Sequence, residues 1–101
     1  MSHTELLKIV AFGDSITEGT YGGADVNESW PVVLQYLFRD FGIHTDIINT
    51  GIPGETAPQG VQRFNQQMVR ISPKIVLIMY GANDSFVPGD FGSPIVSLQQ
   101  F

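Results

Sequence analysis

Three short apolar runs, each ending in a glycine-containing turn, constrain what this chain can fold into. Ile9-Val10-Ala11-Phe12 meets Gly13-Asp14-Ser15. Ile43, Ile47 and Ile48 lead into Asn49-Thr50-Gly51-Ile52-Pro53-Gly54. Lys74-Ile75-Val76-Leu77-Ile78-Met79-Tyr80 meets Gly81-Ala82-Asn83-Asp84. The first and third runs do not alternate polar with apolar, as expected of strands buried on both faces of a parallel sheet. Between the runs the apolar period changes to that of a helix. Val33, Leu34, Leu37, Phe38 and Phe41 follow Ser29-Trp30-Pro31, where Ser29 is the expected N-cap and Pro31 lies in the first turn; Gly42 closes the stretch. Val61, Phe64, Met68 and Ile71 repeat the pattern from about Pro58 until Ser72-Pro73 stops it. The sequence predicts strands at 7–12, 44–49 and 74–80, a loop over 17–28, and, from Ser93-Pro94, the start of a further helix through Ile95 to Phe101. A βαβαβ order implies an α/β fold with a parallel sheet and right-handed crossovers, with strands in the order 2-1-3.

Composition narrows the function. The chain has 101 residues, which allows one domain. A net charge of −5, with no Lys/Arg cluster, argues against nucleic-acid binding. With no cysteine there is no disulfide, no cysteine-held zinc and no thiol nucleophile. Leu6 to Phe12 is short and interrupted by Lys8, so it reads as neither a signal-peptide core nor a membrane span, and the expected location is the cytoplasm.

In a parallel sheet the three turns share the carboxyl edge, where such folds place their ligands. They would bring together a hydroxyl, a glycine backbone and a side-chain amide. Ser15 has two readings. It can cap a helix, because Ser15-Ile16-Thr17-Glu18 has capping-box spacing. It can also be a nucleophile, because acyl transfer needs a hydroxyl beside preorganised N–H donors for the developing oxyanion. Those donors would be the N–H of Ser15, the N–H of Gly54 and the side-chain amide of Asn83.

The same residues carry a family resemblance. Gly13-Asp14-Ser15-Ile16-Thr17-Glu18-Gly19 resembles the first block of the SGNH (GDSL-type) hydrolases. Asn49 to Thr56 resembles the second, with Gly54 at the hole glycine. Gly81-Ala82-Asn83-Asp84 resembles the third, with Asn83 at the hole asparagine. The resemblance spans about Lys8 to Pro88. It implies a flavodoxin-like three-layer α/β/α fold and a serine esterase, lipase or acetyl-ester hydrolase. Such an enzyme acts on a small-molecule or acylated-carbohydrate ester without metal or cofactor. Ser15 would be the nucleophile, and Asp14 is its motif neighbour. The family's last block, Asp-x-x-His, does not occur in the sequence. Residues 1–101 are therefore expected to be the amino-terminal half of an SGNH-type domain, stopping before the last strands and helices and inactive in isolation.

Other readings are weaker. His3 and His44 fall at the amino ends of strands. A six-residue strand spans about 20 Å, too far for either histidine to serve as a base at Ser15. Asp14 and Asp84 could form a carboxylate pair for glycosidic or metal chemistry, but each also suits a turn beside glycine. Gly19 to Gly23 could cradle a phosphate, but no phosphate-loop motif accompanies them. Tyr80, Phe86 and Trp30 could line an acyl pocket, though core packing is the expected role of Trp30. A silent fragment or an acyl-binding module is the alternative function. Strand 74–80 lacks Pro, Gly and internal charge, so as an edge it should promote self-association.

Overall fold

The computed structural model describes residues 6–20, 23–81 and 83–84. The helix expected from Ser93, together with His3 and Phe86, lies outside the described residues. Strand β1 (Leu7–Gly13) is the centre of a three-stranded parallel sheet. Strands β2 (Thr45–Asn49) and β3 (Ile75–Met79) flank it in the order β2-β1-β3, as expected. Ile9 pairs with Ile47 on one side and with Ile75 on the other. The strands agree with the sequence reading to within a residue or two. His44 and Lys74 fall just outside them, yet both still join the ladder: Leu7 N–H donates to His44 O, and Lys74 N–H donates to Lys8 O, each at 2.9 Å.

The core is β1 itself. Ile9, Val10, Ala11 and Phe12 are 0–2% exposed, so the run without alternation is indeed covered on both faces. Lys8 interrupts that run for a reason the sequence pattern hides. Its Nζ donates to Ile71 O at 3.0 Å, at the carboxyl end of a helix, where unpaired carbonyls and the helix dipole favour a cation.

Three α-helices complete the described structure: α1 (Ser15–Glu18), α2 (Trp30–Asp40) and α3 (Ala57–Ile71). The stretch 17–28 is not all loop. It holds the end of α1 and a 3₁₀ turn at Val26–Glu28, because Asp14 and Asp25 each accept the backbone N–H two residues on. Helix α2 starts at Ser29 as expected, but the Ser29 hydroxyl does not cap it. Its apolar period is present, although only Leu34 and Phe38 are half-buried; Val33, Leu37 and Phe41 are exposed. Helix α3 begins with Gln59 Oε1 accepting from the Thr56 N–H at 2.9 Å, a capping box. It ends where Ser72 turns to φ 54, the residue before Pro73 being disfavoured in a helix. No described helix is long and apolar enough to cross a membrane.

Candidate active site

Ser15 stands at the first position of α1, directly after β1, and is 7% exposed. The structure corrects the capping-box reading of this serine. The N-cap is Asp14, whose Oδ1 accepts the Ile16 N–H at 3.0 Å. Glu18 does not reach back to the helix start; its Oε2 bonds the N–H and hydroxyl of Thr20. Those bonds, the hydroxyl's first, hold the Glu18 carboxyl below its ordinary pKa range. A spacing of three residues cannot separate a serine at N-cap from a serine at N1 preceded by its own cap. That one-residue shift leaves the Ser15 hydroxyl free of capping. Ser15 lines a groove with Ile16, Ala24, Asp25, Ser29 and Trp30.

Helix α1 is held from beneath. Thr17 is fully buried, and its hydroxyl accepts from Trp30 Nε1 at 3.1 Å. Trp30 is half-buried, so it combines the expected packing role with a place on the groove beside Ser15. Asn49 Nδ2 donates to Thr17 O at 2.7 Å, while Asn49 Oδ1 accepts from Gly51 N–H at 2.9 Å. A side chain that the motif comparison treats only as the start of a block therefore fastens the second turn to the first.

The first two turns meet through a backbone contact, and the third joins them through side chains. Ile52 N–H donates to Gly13 O at 3.0 Å. Gly51 lies so close to α1 that a Cβ there would come within 2.4 Å of Glu18 N and 2.8 Å of Asp14 O, which only glycine permits. Gly54 is exposed, with φ 79 and open space where a side chain would project. The third turn docks on the second by two bonds of opposite direction. Asn83 Nδ2 donates to Glu55 O at 3.0 Å, and Ala57 N–H donates to Asp84 Oδ1 at 2.8 Å. Asp14 and Asp84 are each employed at a helix start, and no metal-binding group of acidic, histidine or cysteine side chains occurs among the described residues. His44 is exposed and sits against Leu7 at the amino end of β1. Seven residues of strand, about 3.3 Å each, separate that end from the Ser15 edge.

Sequence reasoning missed one cluster at this edge. Arg63 on α3 places its Nε 2.9 Å from both Glu55 carboxylate oxygens and its Nη2 2.6 Å from Oε1. Tyr80 hydroxyl donates to the same Glu55 Oε1. Burial, reinforced by the bond to Glu55, pushes the Tyr80 phenol well above its ordinary range, although Arg63 pulls the other way. Burial alone would lower the pKa of Arg63, but its bonds to Glu55 and the attraction of Tyr80 and Glu55 outweigh it and the pKa rises. Tyr80 reaches this position across Gly60 of α3, where a Cβ would come within 2.6 Å of the Tyr80 hydroxyl. The cluster's members are eight and seventeen residues apart, a spacing no local rule connects.

Residues 11–101 match the GDSL-like lipase/acylhydrolase family. An uncharacterized lipoprotein of Bacillus subtilis, YqeF, is 35% identical over 96 residues, covering 92% of this chain and 38% of its own length. An arylesterase of Vibrio mimicus is 34% identical over 77 residues, covering 76% of this chain and 38% of its own. Among solved structures, the SGNH-hydrolase family esterase AlinE4 superposes with a TM-score of 0.72 at 36% identity, over 82% of this chain and 44% of its own. The chain thus spans less than half the length of each of these proteins.

Proposed function

The chain belongs to the GDSL-like lipase/acylhydrolase family, and on that premise we propose that it carries the nucleophile and the oxyanion hole of an SGNH-type ester hydrolase. The observation behind this reading is the division of labour at the start of α1. Asp14 caps the helix, and Ser15, one residue on, is relieved of capping and lines the groove. In the proposed reaction Ser15 Oγ forms a bond to the ester carbonyl carbon. The N–H groups of Ser15 and Gly54 and the Asn83 amide receive the oxyanion. The carbon–oxygen ester bond then breaks, the alcohol leaves with a proton, and water releases the acid from the acyl-serine. The substrate is a small-molecule or acylated-carbohydrate ester.

The proton of Ser15 needs an acceptor. His44, the one histidine among the described residues, faces the wrong end of the sheet, and no Asp-x-x-His is present in the sequence. We propose that residues 1–101 form the amino-terminal half of the catalytic domain, with little turnover by themselves. The second reading is a silent acyl-binding fragment. A cytoplasmic location is part of the proposal, although one relative is named a lipoprotein; cell fractionation decides it. So is self-association through β3, whose Ile78 is 62% exposed.

The deciding experiment treats the chain with a fluorophosphonate ester and locates the adduct by mass spectrometry. Modification of Ser15, slow because no base among these residues activates its hydroxyl and absent in Ser15→Ala, is expected. Equal labelling of Ser15→Ala, or none of the native chain, rejects the nucleophile and favours the binding fragment.

A further inference from the structure

We propose that Arg63 is the positioning residue of the oxyanion site, holding in register the three strand-end turns that carry Ser15, Gly54 and Asn83. This rests on the reading of those three residues as an ester-hydrolysing site. Arg63 donates to the first and second turns and to Tyr80, the residue just before the third. Its Nη2 bonds Thr50 O at 2.8 Å and reaches Gly13 O at 3.4 Å, at the ends of β2 and β1. It bonds Tyr80 hydroxyl at 3.1 Å, just past β3. Its Nε and Nη2 grip the Glu55 carboxylate, and Nη1 bonds Gln67 Oε1 at 2.5 Å along α3.

The position of Glu55 makes this grip bear on the site. Glu55 follows Gly54 directly, and its carbonyl receives the Asn83 side-chain amide. Its N–H is tied to Ile52 O at 3.3 Å, closing the turn that presents Gly54. One residue is therefore held through its carboxylate by Arg63 and Tyr80, while its main chain borders one proposed hole donor and orients the other. The guanidinium also lies 4.1 Å over the Phe12 ring, stacked on the buried centre of β1. The two N–H groups of Nη2 are shared among Thr50 O, Gly13 O, Tyr80 hydroxyl and Glu55 Oε1, while Nε and Nη1 reach Glu55 and Gln67; a compact ammonium cannot span this planar spread of acceptors. Arg63 touches no reacting atom in this arrangement; it acts through Glu55, Gly54 and Asn83.

The test compares native chain, Ser15→Ala, Arg63→Lys, Arg63→Met and Tyr80→Phe by three measurements: the rate of fluorophosphonate labelling at Ser15, the unfolding temperature, and the NMR separation of the two Asn83 side-chain NH₂ protons. Misplacing a hole donor by about 1 Å is worth about 100-fold, so Arg63→Met should slow labelling by roughly 10–100-fold. Arg63→Lys, which keeps the charge opposite Glu55, should preserve the unfolding temperature within a few degrees but not the labelling rate. In both variants the two Asn83 protons should move together as the bond to Glu55 O is lost. If Arg63→Met fails to fold, Arg63→Lys and Tyr80→Phe carry the comparison. Native labelling rates and an unchanged Asn83 signature in Arg63→Lys and Tyr80→Phe would overturn the positioning role and leave the nucleophile intact. Failure of the native chain to label above Ser15→Ala would overturn the active-site reading, and this proposal with it, whatever the Asn83 protons show.

Discussion

Strands β1 and β3 are written in nearly the same alphabet and have opposite fates. Both are runs of β-branched and large apolar residues leading into a glycine turn. In β1 the residues Ile9 to Phe12 are almost wholly buried, between two strands and beneath helices. In β3 Ile75, Ile78 and Met79 are 41%, 62% and 44% exposed. Beside them an apolar groove of about 720 Å³ runs along Phe12, Val61, Phe64, Ile78, Met79 and Tyr80. An apolar run thus declares a strand fit for burial, but its neighbours decide whether it is buried. At the site the difference is functional. The turn after β1 is held by Asn49, Trp30 and Ile52, whereas among the described residues the bonds of the turn after β3 go to the second turn alone, from Asn83 to Glu55 and from Ala57 to Asp84.

Several measurements can break or sharpen that contrast. The largest effect concerns turnover. Loss of the base in a triad enzyme costs on the order of 10⁶ in kcat, leaving about 10³ over water. The isolated chain should hydrolyse a simple ester barely above background. Turnover in the ordinary range of about 1–10³ s⁻¹ would show that the β3 side lacks nothing needed for chemistry. Next comes packing. Ile9→Ala should destabilise by about 2–5 kcal/mol, whereas Ile78→Ala should fall within about 0.5 kcal/mol. Denaturant unfolding at low protein concentration checks both, and equal losses would erase the contrast between the strands.

A smaller effect is expected in association. Ile78→Lys puts a charge on the exposed face of β3 and should shift light scattering toward monomer, with Ser15 labelling unchanged. Leu77 is half-buried and pairs with Ala11, so Lys there would confound association with folding. A native chain that stays monomeric at high concentration would mean the edge is already covered. The smallest effect is a pH dependence. Tyr80 is harder to ionise folded than unfolded, so its contribution is complete below its unfolded pKa of about 10 and is lost as pH rises above that value. Tyrosinate absorbance should show a late component that disappears in Tyr80→Phe.

Much of the fold was legible because it rests on local signals. Apolar period, proline and glycine located three strands and two long helices, and the βαβαβ order gave strand order 2-1-3. What escaped needed tertiary information. Asp14 takes the cap by accepting the Ile16 N–H, a contact that the Ser-x-x-Glu spacing does not reveal. The bonds joining Arg63 to Glu55 and Tyr80 bridge a loop, a helix and a strand end. The period of α2 was visible, but not that Phe41 would be left 81% exposed.

The central place of β1 also has a consequence in time. It is the first of the described strands to be synthesised, yet its β3 partner lies 66 residues downstream (Ile9 pairs with Ile75). At synthesis rates of about 5–20 residues per second, the stretch that ends up most deeply enclosed spends several seconds beside the ribosome with one flank unpaired. The bond between Lys8 and Ile71 can close only near the end of that interval, as the central strand is finally shut in.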